Sequence, residues 1–416
     1  MTKISSSAIV LALAVSSPVH AIELGESSQL HGFINQAYFY SPDNPYAGTD
    51  ADDGSFKFRE VGINGFTELS PEFRLAGQVL SRRQDEADDG DVRVDFLLAD
   101  YLVLSGQSAS FGVRVGRVKN NIGFYNAIRD IPSARPGYNV PDSIYFEAFR
   151  DSLLALDGVN VYGAALFANN QLTWEVSGGQ TSIDLDDFET FAFQQRISRG
   201  DEDEAPIWLL NVHLVPSFAR DLRLGLSLID LTIDMNDTQS VAEAQDKLIS
   251  APPGDLLTNP FAYVTDARFD SLFTIVSAQY SLRDWIITAE YLNLETEFQA
   301  DIVGQETSDT STLEGWYVQA EWLATAQTSW FTRYEELYLN KDDRQGQETA
   351  RPNNRYRGFG RGWTVGGQWR FAPAWSLIGQ ASFNEGTAWL PNYDGREDEE
   401  LEKYWNYYVL SLNFQF

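Results

Sequence analysis

The chain has 416 residues, of which 60 are Asp or Glu and 30 are Lys or Arg, so its formal net charge is −30. This charge repels nucleic-acid phosphates, and we expect no nucleic-acid partner. The sequence contains no Cys, which excludes disulfides, a thiol nucleophile and a Cys-ligated metal site. Beyond the N-terminus, no run of about 18 apolar residues occurs, which excludes membrane-spanning helices.

The N-terminus is typical of a secretory signal peptide. Lys3 supplies the positive charge, residues 8–15 form the apolar core, and 19–21 (VHA) is a small-x-small cleavage site. The pattern predicts that 1–21 is cleaved and that 22–416 is one mature domain. A short buried helix is the alternative interpretation.

Alternation of apolar and polar residues with a period of two recurs along the mature chain and predicts strands. In the clearest case, Trp363 to Phe371, Trp and Val alternate with Thr, Gln and Arg. The same alternation is found at 73–79, 208–214, 222–228 and 316–322. Because the polar positions share one face, a barrel with the apolar face outward encloses a polar, water-filled lumen.

The predicted connections are of two kinds that alternate along the chain, and together they join 16 strands. Short turns are predicted at 70–71, 105–109, 169–171, 216–221, 283–284, 325–327 and 372–374. Long polar loops are predicted at 41–54, 83–91, 119–150, 182–205, 234–267, 299–312, 339–361 and 385–403. This asymmetry is typical of a transmembrane antiparallel β-barrel with short periplasmic turns and long external loops. A soluble β-sandwich shows the same periodicity and stays open as an alternative.

Aromatic residues gather at the predicted strand ends, as in the aromatic girdles at membrane–water boundaries. They are Tyr38, Phe39, Tyr40, Trp285, Trp330, Trp375, Tyr404, Trp405, Tyr407 and Tyr408. Ordinary packing of aromatic residues in a sheet is the alternative.

The last predicted strand has apolar residues at every second position up to the last residue: Tyr408, Leu410, Leu412, Phe414 and Phe416. This run of alternating apolar residues resembles the sorting signal of Gram-negative outer-membrane barrels. The resemblance implies that the barrel-assembly machinery recognises this strand, and that the strand closes the barrel against the first one.

Together with the signal peptide and the loop pattern, this strand makes residues 29–416 resemble the 16-stranded Gram-negative porins. The stretches 31–39 and 116–119 are similar to those of phosphate-selective or dicarboxylate-type porins. The resemblance implies an all-β barrel in the outer membrane, in contact with lipid and lipopolysaccharide. It further implies a homotrimer with a water-filled lumen that small molecules or ions cross.

The third long loop, 119–150, is the least acidic of the long loops, and Pro and Gly interrupt it repeatedly. In porins of this type the third loop folds into the lumen and narrows it, and its charges decide which ions pass. The residues expected at this constriction are Arg114, Arg117, Lys119, Arg129, Asp130, Arg135 and Asp142. An external loop that pairs its cations locally or binds lipopolysaccharide phosphate is the alternative.

Further charged residues are expected on the pore wall. The arginines are Arg74, Arg93, Arg223, Arg333 and Arg370, and Glu175, Glu290, Glu321 and Glu335 are expected on the same face. A second basic stretch, 344–370, is interpreted equally well as a vestibule lining, a lipopolysaccharide contact or a subunit contact. The other long loops are acidic and are expected to be solvated.

No enzyme motif is present: the sequence has no G-x-S-x-G elbow, no phosphate-binding loop and no H-E-x-x-H. We expect no catalytic residues, no cofactor and no metal site. The predicted function is passive diffusion of small hydrophilic solutes, anions among them, through an outer-membrane porin. The alternative is a plugged barrel with a structural or binding role at the cell surface.

Overall fold

The computed structural model describes residues 22–23, 25, 27–46, 54–84, 88–147, 150–185, 188–189, 197, 202–235, 238–347, 355–390 and 401–416. The predicted signal peptide, 1–21, lies outside the described residues.

Sixteen long strands form the wall of the barrel in the described part of the chain. The first eight are β1 (Ser28–Tyr40), β2 (Ser55–Ser70), β3 (Phe73–Gln84), β4 (Asp89–Ser105), β5 (Ala109–Lys119), β6 (Ala155–Phe167), β7 (Asn170–Asp184) and β8 (Glu202–Val215). The others are β9 (Leu222–Met235), β10 (Val264–Leu282), β11 (Trp285–Ile302), β12 (Gln305–Trp322), β13 (Thr328–Tyr338), β14 (Phe359–Ala372), β15 (Trp375–Gly386) and β16 (Tyr404–Gln415). A two-residue strand, Ile22–Glu23, pairs with the start of β1.

Each strand pairs antiparallel with its neighbours in sequence, and β16 pairs with β1 from Tyr408 opposite Tyr40 to Gln415 opposite Phe33. Phe416 extends this closure: its N–H donates to the Gly32 carbonyl at 2.9 Å and its carbonyl accepts from the Gly32 N–H at 3.0 Å. Closure leaves no unpaired strand edge in the lipid. The predicted closed antiparallel barrel is confirmed.

The barrel is inside-out relative to a soluble protein. On β14, Trp363 and Trp369 are 54% and 53% exposed, whereas Thr364 and Gln368 between them are 3% and 7% exposed. Exposed apolar residues on the outer face of the other strands follow the same rule. This arrangement is expected where the outer face contacts lipid, and it removes the soluble sandwich as an interpretation.

Aromatic residues lie near both ends of this apolar outer face. Trp285 and Trp322, beside turns at the periplasmic end, stack with their ring centroids 6.0 Å apart. Towards the external end, the Tyr334 ring lies 4.9 Å from that of Trp363, and the Tyr334 hydroxyl donates to Glu336 at 2.7 Å. Such rings with a polar handle suit the membrane–water boundary.

All seven predicted short turns join strands in the structure, and most of the predicted long loops are long. The segments 83–91 and 299–312 are exceptions: only four residues separate β3 from β4, and β11 and β12 continue through 299–312 as a hairpin. Val303 and Gly304 turn this hairpin with φ of 56° and 83°, the pair of positive values of a type I′ turn. The prediction was wrong because this hairpin extends beyond the membrane, where both faces are polar and alternation is lost.

The helices lie in the connections. Those that lie wholly within the described residues are α1 (Arg150–Leu154), α2 (Val241–Ser250) and α3 (Asp255–Thr258), with 3-10 turns at Asn126–Ile128, Pro132–Ala134, Pro260–Tyr263 and Arg355–Gly358. Ser240 and Glu243 form a capping box at the start of α2. None of the described helices has the length and apolar character needed to cross a membrane.

The lumen is less uniformly polar than the sequence predicts. The inward positions near the external end of β9 are apolar and at most 1% exposed: Ile229, Leu231, Ile233 and Met235. They belong to a large apolar cluster with inward residues of neighbouring strands and with Ile122, Ile144 and Phe146 of the connection after β5. A smaller cluster joins Phe39 and Phe58 to Tyr138 of the same connection. The external half of the lumen therefore contains packed apolar cores.

Candidate functional site

The connection between β5 and β6, residues 120–154 and hereafter the third loop, crosses the lumen. Its backbone N–H groups donate to side chains on widely separated strands of the wall. They bind Ser227 on β9 (from Gly123, 3.0 Å), Glu290 on β11 (from Phe124, 2.9 Å), Gln380 on β15 (from Tyr138, 2.9 Å) and Glu335 on β13 (from Ser143, 3.0 Å). These inward side chains satisfy loop N–H groups that the barrel hides from solvent.

Glu290 is the most heavily bonded of these wall residues. Its carboxylate accepts hydrogen bonds from the hydroxyls of Ser277 at 2.5 Å, Tyr145 at 2.6 Å and Tyr317 at 2.8 Å, besides the Phe124 N–H. Glu290 is 2% exposed. Neutral donors thus hold the loop against this side of the barrel, which we call the far wall (β9–β13).

Ion pairs hold the loop against the opposite side, which we call the near wall (β2–β5). Arg82 on β3 lies 2.6 Å from Glu147 of the loop, 3.5 Å from Asp88 and 3.8 Å from Glu60. Glu60 also accepts from Arg135 of the loop at 2.7 Å. Burial alone would raise the pKa of Glu147, but Arg82 and Arg129 lower it to about 2.

A second group of ion pairs continues this network around Asp130. Its carboxylate pairs with Lys119 at the end of β5, at 2.7 Å, and with Arg150 at the start of α1. Lys119 also lies 2.9 Å from Asp95 on β4. Although burial opposes it, the attraction of Arg150 and Lys119 holds the pKa of Asp130 well below its usual range.

The loop arginines expected at a constriction lie inside this network. Arg129 is 5% exposed and donates to the Tyr145 carbonyl and to Glu147, at 3.2 and 3.0 Å. Arg135 is 7% exposed and is bound to Glu60. In this geometry both guanidinium groups fix the third loop in place. Their direct contact with a permeating ion stays a prediction.

Asp142 lies where the loop meets β13. Arg333, 1% exposed, pairs with Glu335 at 2.8 Å and donates to the Asn139 carbonyl at 3.2 Å. Burial and the neighbouring Glu335 carboxylate raise the pKa of Asp142 to about 8, although Arg333 opposes the shift. The shift favours the neutral form of Asp142, which carries no negative charge.

Below the loop, towards the periplasmic turns, the wall is polar. Asp100 accepts from Arg74 at 3.1 Å, Arg114 at 3.4 Å and the Tyr162 hydroxyl at 2.6 Å. The Arg114 guanidinium carbon lies 3.9 Å from the centre of the Tyr162 ring. The side chain of Asp100 is 6% exposed whereas that of Arg74 is 44% exposed. The carboxylate is enclosed by donors, and the arginine reaches water.

Two other predicted wall arginines lie in this periplasmic half. Arg223 is partly buried, with Nη2 2.8 Å from Nδ1 of His213 and its guanidinium 4.5 Å from the Phe124 ring centre. Arg370 is exposed near the end of β14. Arg117 is different: it pairs with Asp157 at 3.0 Å on the outer face, beside the exposed Leu97, and does not line the lumen.

The predicted assembly signal forms part of the outer face. Tyr408 and Leu410 are exposed, and the aromatic ring of Phe414 lies 4.9 Å from that of Trp375. The strand thus occupies the closing position that the resemblance implied. Its recognition by the assembly machinery stays a prediction.

Sequence reasoning missed several residues that hold the third loop: Glu60, Arg82, Tyr138, Tyr145, Ser227 and Gln380. One signal was readable. Arg82 and Arg83 are consecutive, so one of them has to point into the barrel. The partners across the lumen carried no readable signal, because Tyr145 and Glu290 are 145 positions apart.

Comparison with known proteins agrees with this geometry. No family model matches the chain, and no curated protein matches it by sequence. Among solved structures it is similar to OmpT, an outer-membrane protein of Vibrio cholerae (TM-score 0.55, 12% identity, 95% of this chain and 100% of that one). It is also similar to the outer-membrane channel DcaP of Acinetobacter baumannii (TM-score 0.52, 10% identity, 94% and 97%).

A third similar structure is the anion-selective porin of Comamonas acidovorans, with a TM-score of 0.51 at 13% identity over 94% of this chain and 99% of that one. At such identities the likeness establishes the fold alone. The chain therefore has the 16-stranded barrel fold of the outer-membrane porins, as the sequence resemblance predicted.

Proposed function

We propose that the barrel is a porin that admits small hydrophilic solutes and favours anions. One observation carries the proposal: in the periplasmic half of the lumen, Arg74 and Arg370 reach water while Asp100 is enclosed, and the exposed Glu68 opposite Arg74 offsets only one of the two arginines. Arg74 and Arg370 are exposed, whereas Asp100 is held by two arginines and a tyrosine hydroxyl.

The sign of the accessible charge decides which ions a wide aqueous pore concentrates. Glu175 contributes little to that charge, because the Arg114 guanidinium lies 3.8 Å from its carboxylate. Protonation of Asp142 removes another negative charge from the loop above. The local field thus attracts anions although the chain as a whole is strongly acidic.

The proposal includes export by the signal peptide 1–21, insertion by the barrel-assembly machinery into a membrane of lipid and lipopolysaccharide, and assembly as a homotrimer. It assigns the chain ion transport and no catalytic activity. The support for the trimer is the porin fold, and native mass spectrometry of the purified protein measures it directly.

Planar-bilayer recording tests the proposal. We expect discrete ohmic steps and, in a salt gradient, a reversal potential on the anion side. The double variant Arg74→Gln and Arg370→Gln shifts this potential towards zero, whereas Arg83→Gln, which points to the outer face, leaves it unchanged. A cation-selective parent channel, or equal shifts in both variants, would falsify the anion assignment.

A plugged barrel with a structural or binding role is the second candidate, and a specific observation favours it. The third loop is bonded to both walls, and apolar clusters pack around it in the external half of the lumen. A correctly folded protein that stays electrically silent in the bilayer would establish this candidate and remove the porin proposal.

A further inference from the structure

The hairpin of β11 and β12 rises above its neighbour β13 and leaves one edge of β12 without a partner strand. β12 pairs with β11 along its whole length, but with β13 only as far up as Glu314. Above that position, the Lys341 N–H donates to the Thr312 carbonyl at 2.9 Å. No strand of the described residues pairs with this edge of residues 305–311, which we call the free edge.

The alternation of an antiparallel ladder decides which backbone groups face the free edge. The residues that flank a two-residue turn bond each other, so Gln305 and every second residue after it bond β11. Glu306, Ser308 and Thr310 therefore point their N–H and C=O groups towards the free edge. The Thr310 N–H donates to the Asp309 carboxylate at 2.8 Å. The other backbone groups of these three residues have no hydrogen-bond partner among the described residues.

The free edge stands above the membrane and is open to water. Ser311, its lowest residue, lies eleven positions above Trp322, at the periplasmic end of β12. A rise of about 3.3 Å per residue at a tilt of about 45° puts Ser311 about 25 Å above that end, the height of the apolar band of such barrels. All seven side chains of the free edge are exposed. Because it contains no Lys, Pro or β-bulge, features that commonly prevent pairing at exposed edges, it is a template for another strand.

The charge of the hairpin indicates what that other strand contains. No Lys or Arg occurs between Arg283 and Arg333. The upper part of the hairpin carries only acidic charges: Glu295, Glu297, Asp301, Glu306 and Asp309. Pairing of two copies of this chain through their free edges would bring these carboxylates close together, and like charges on neighbouring strands repel. A segment that contains Lys or Arg is attracted instead.

We propose that the free edge of β12 binds an extended, basic segment of an extracellular protein as an added strand. The unpaired backbone groups of Glu306 and Ser308 bond the backbone of that segment and supply the affinity. Because side chains alternate between the faces of a strand, Glu306 and Asp309 lie on opposite faces. Lys or Arg on either face of the added strand therefore meets a carboxylate, and the charge supplies the specificity.

Isothermal titration of the full-length mature barrel in detergent tests this site, with a synthetic peptide of Lys and Thr, about seven residues long, as the probe. The test variant is Ser308→Pro, which removes an N–H from the free edge and leaves the pairing with β11 intact, since Pro is tolerated on an edge. The matched control, Ser308→Ala, keeps that N–H. We expect the affinity to fall at least about tenfold in Ser308→Pro and less than about twofold in Ser308→Ala.

A peptide with Glu in place of Lys supplies the second arm, and the parent should not bind it. Absence of binding of the Lys peptide to the parent, equal affinities of the two Ser308 variants, or equal binding of the two peptides overturns the proposal. So do dimers of the parent that Ser308→Pro abolishes, which assign the free edge to a second copy. If Ser308→Pro does not fold, a Lys peptide methylated at alternate backbone nitrogens is titrated into the parent, and undiminished affinity overturns the proposal.

Discussion

The two walls that hold the third loop use different physical interactions. Near β2–β5, charged side chains carry the contact: Arg82 and Arg135 on one hand, Glu60 and Glu147 on the other. Near β9–β13, neutral groups of the loop donate to the Glu290 carboxylate, and apolar side chains such as Leu231 pack with apolar residues of the loop. Ion pairs between loop and wall therefore dominate on one side, and hydrogen bonds from neutral donors together with apolar packing dominate on the other.

This difference decides how each contact fails. Removing one partner of a buried ion pair leaves the other charge desolvated and unpaired, which costs more than the pair itself contributes. Removing an apolar side chain costs the lost burial plus the cavity that remains. The two kinds of loss can be measured separately by single substitutions at inward positions, each compared with a substitution at an outward position of the same strand.

The largest effect is expected at Arg82. Arg82→Met keeps the volume but takes one cation from three buried or partly buried carboxylates, Glu147, Asp88 and Glu60, each of which keeps at least one other arginine, and we expect the free energy of unfolding to fall by about 4 kcal/mol. Urea unfolding in lipid vesicles measures this loss. Arg83→Met, one position along and on the outer face, is the control and should lose less than about 1 kcal/mol.

Hydrogen exchange adds a local measurement to this comparison. In Arg82→Met, protection should drop in the third loop, while the hydrogen bonds between β10 and β11 keep the parental protection. Equal unfolding free energies for the Arg82 and Arg83 variants would show that the ionic contact of the near wall contributes nothing to loop anchoring.

A smaller effect is expected on the far wall. Leu231→Ala empties part of the apolar cluster and should lower the free energy of unfolding by about 3 kcal/mol. Leu226→Ala on the same strand is the control, because Leu226 is 38% exposed on the lipid-facing side whereas Leu231 is fully buried. A larger loss for Leu226→Ala than for Leu231→Ala would mean that the lumen cluster is loosely packed.

The outer face of this barrel could be predicted from sequence, whereas the contents of its lumen could not. Contact with lipid requires apolar side chains at outward positions such as Trp363, Val365 and Trp369. This requirement produces the period-two pattern in the sequence. Inward residues obey no single rule, since Ser227 binds the loop backbone and Ile229, the next inward residue on the same strand, packs in an apolar cluster.

The positions of the charged loop residues show the same limit. Their net positive charge was readable, but burial and pairing depend on partners distant in sequence, as with Arg135 and Glu60. Arg117 was placed on the wrong face because its face follows from its pairing with Asp157 and from the outward position of Leu97. The charge composition of a region thus predicts the sign of its net charge. It does not predict which of the charged side chains are exposed to water.

The smallest expected effect is a pH dependence of the free energy of unfolding that is caused by Asp142 of the third loop. Because burial and Glu335 raise the pKa of Asp142 from 3.8 to about 8, the folded barrel binds this proton more tightly than the unfolded chain does. Stability contributed by the neutral carboxyl is present in full below about pH 4 and is lost as the pH rises to about 8. Partial exposure of Asp142 reduces the size of the effect.

Asp142→Asn keeps the shape and removes the ionisation, so the variant should become more stable than the parent as the pH rises from 5 to 9. Thermal unfolding at a series of pH values measures this difference, in which the other titrating groups cancel. Asp157→Asn, at an exposed carboxylate on the outer face, is the control and should run parallel to the parent. Parallel profiles for Asp142→Asn and the parent would mean that Asp142 is already ionised at neutral pH. The loop would then carry a negative charge at Asp142, and the proposed preference for anions would lose part of its support.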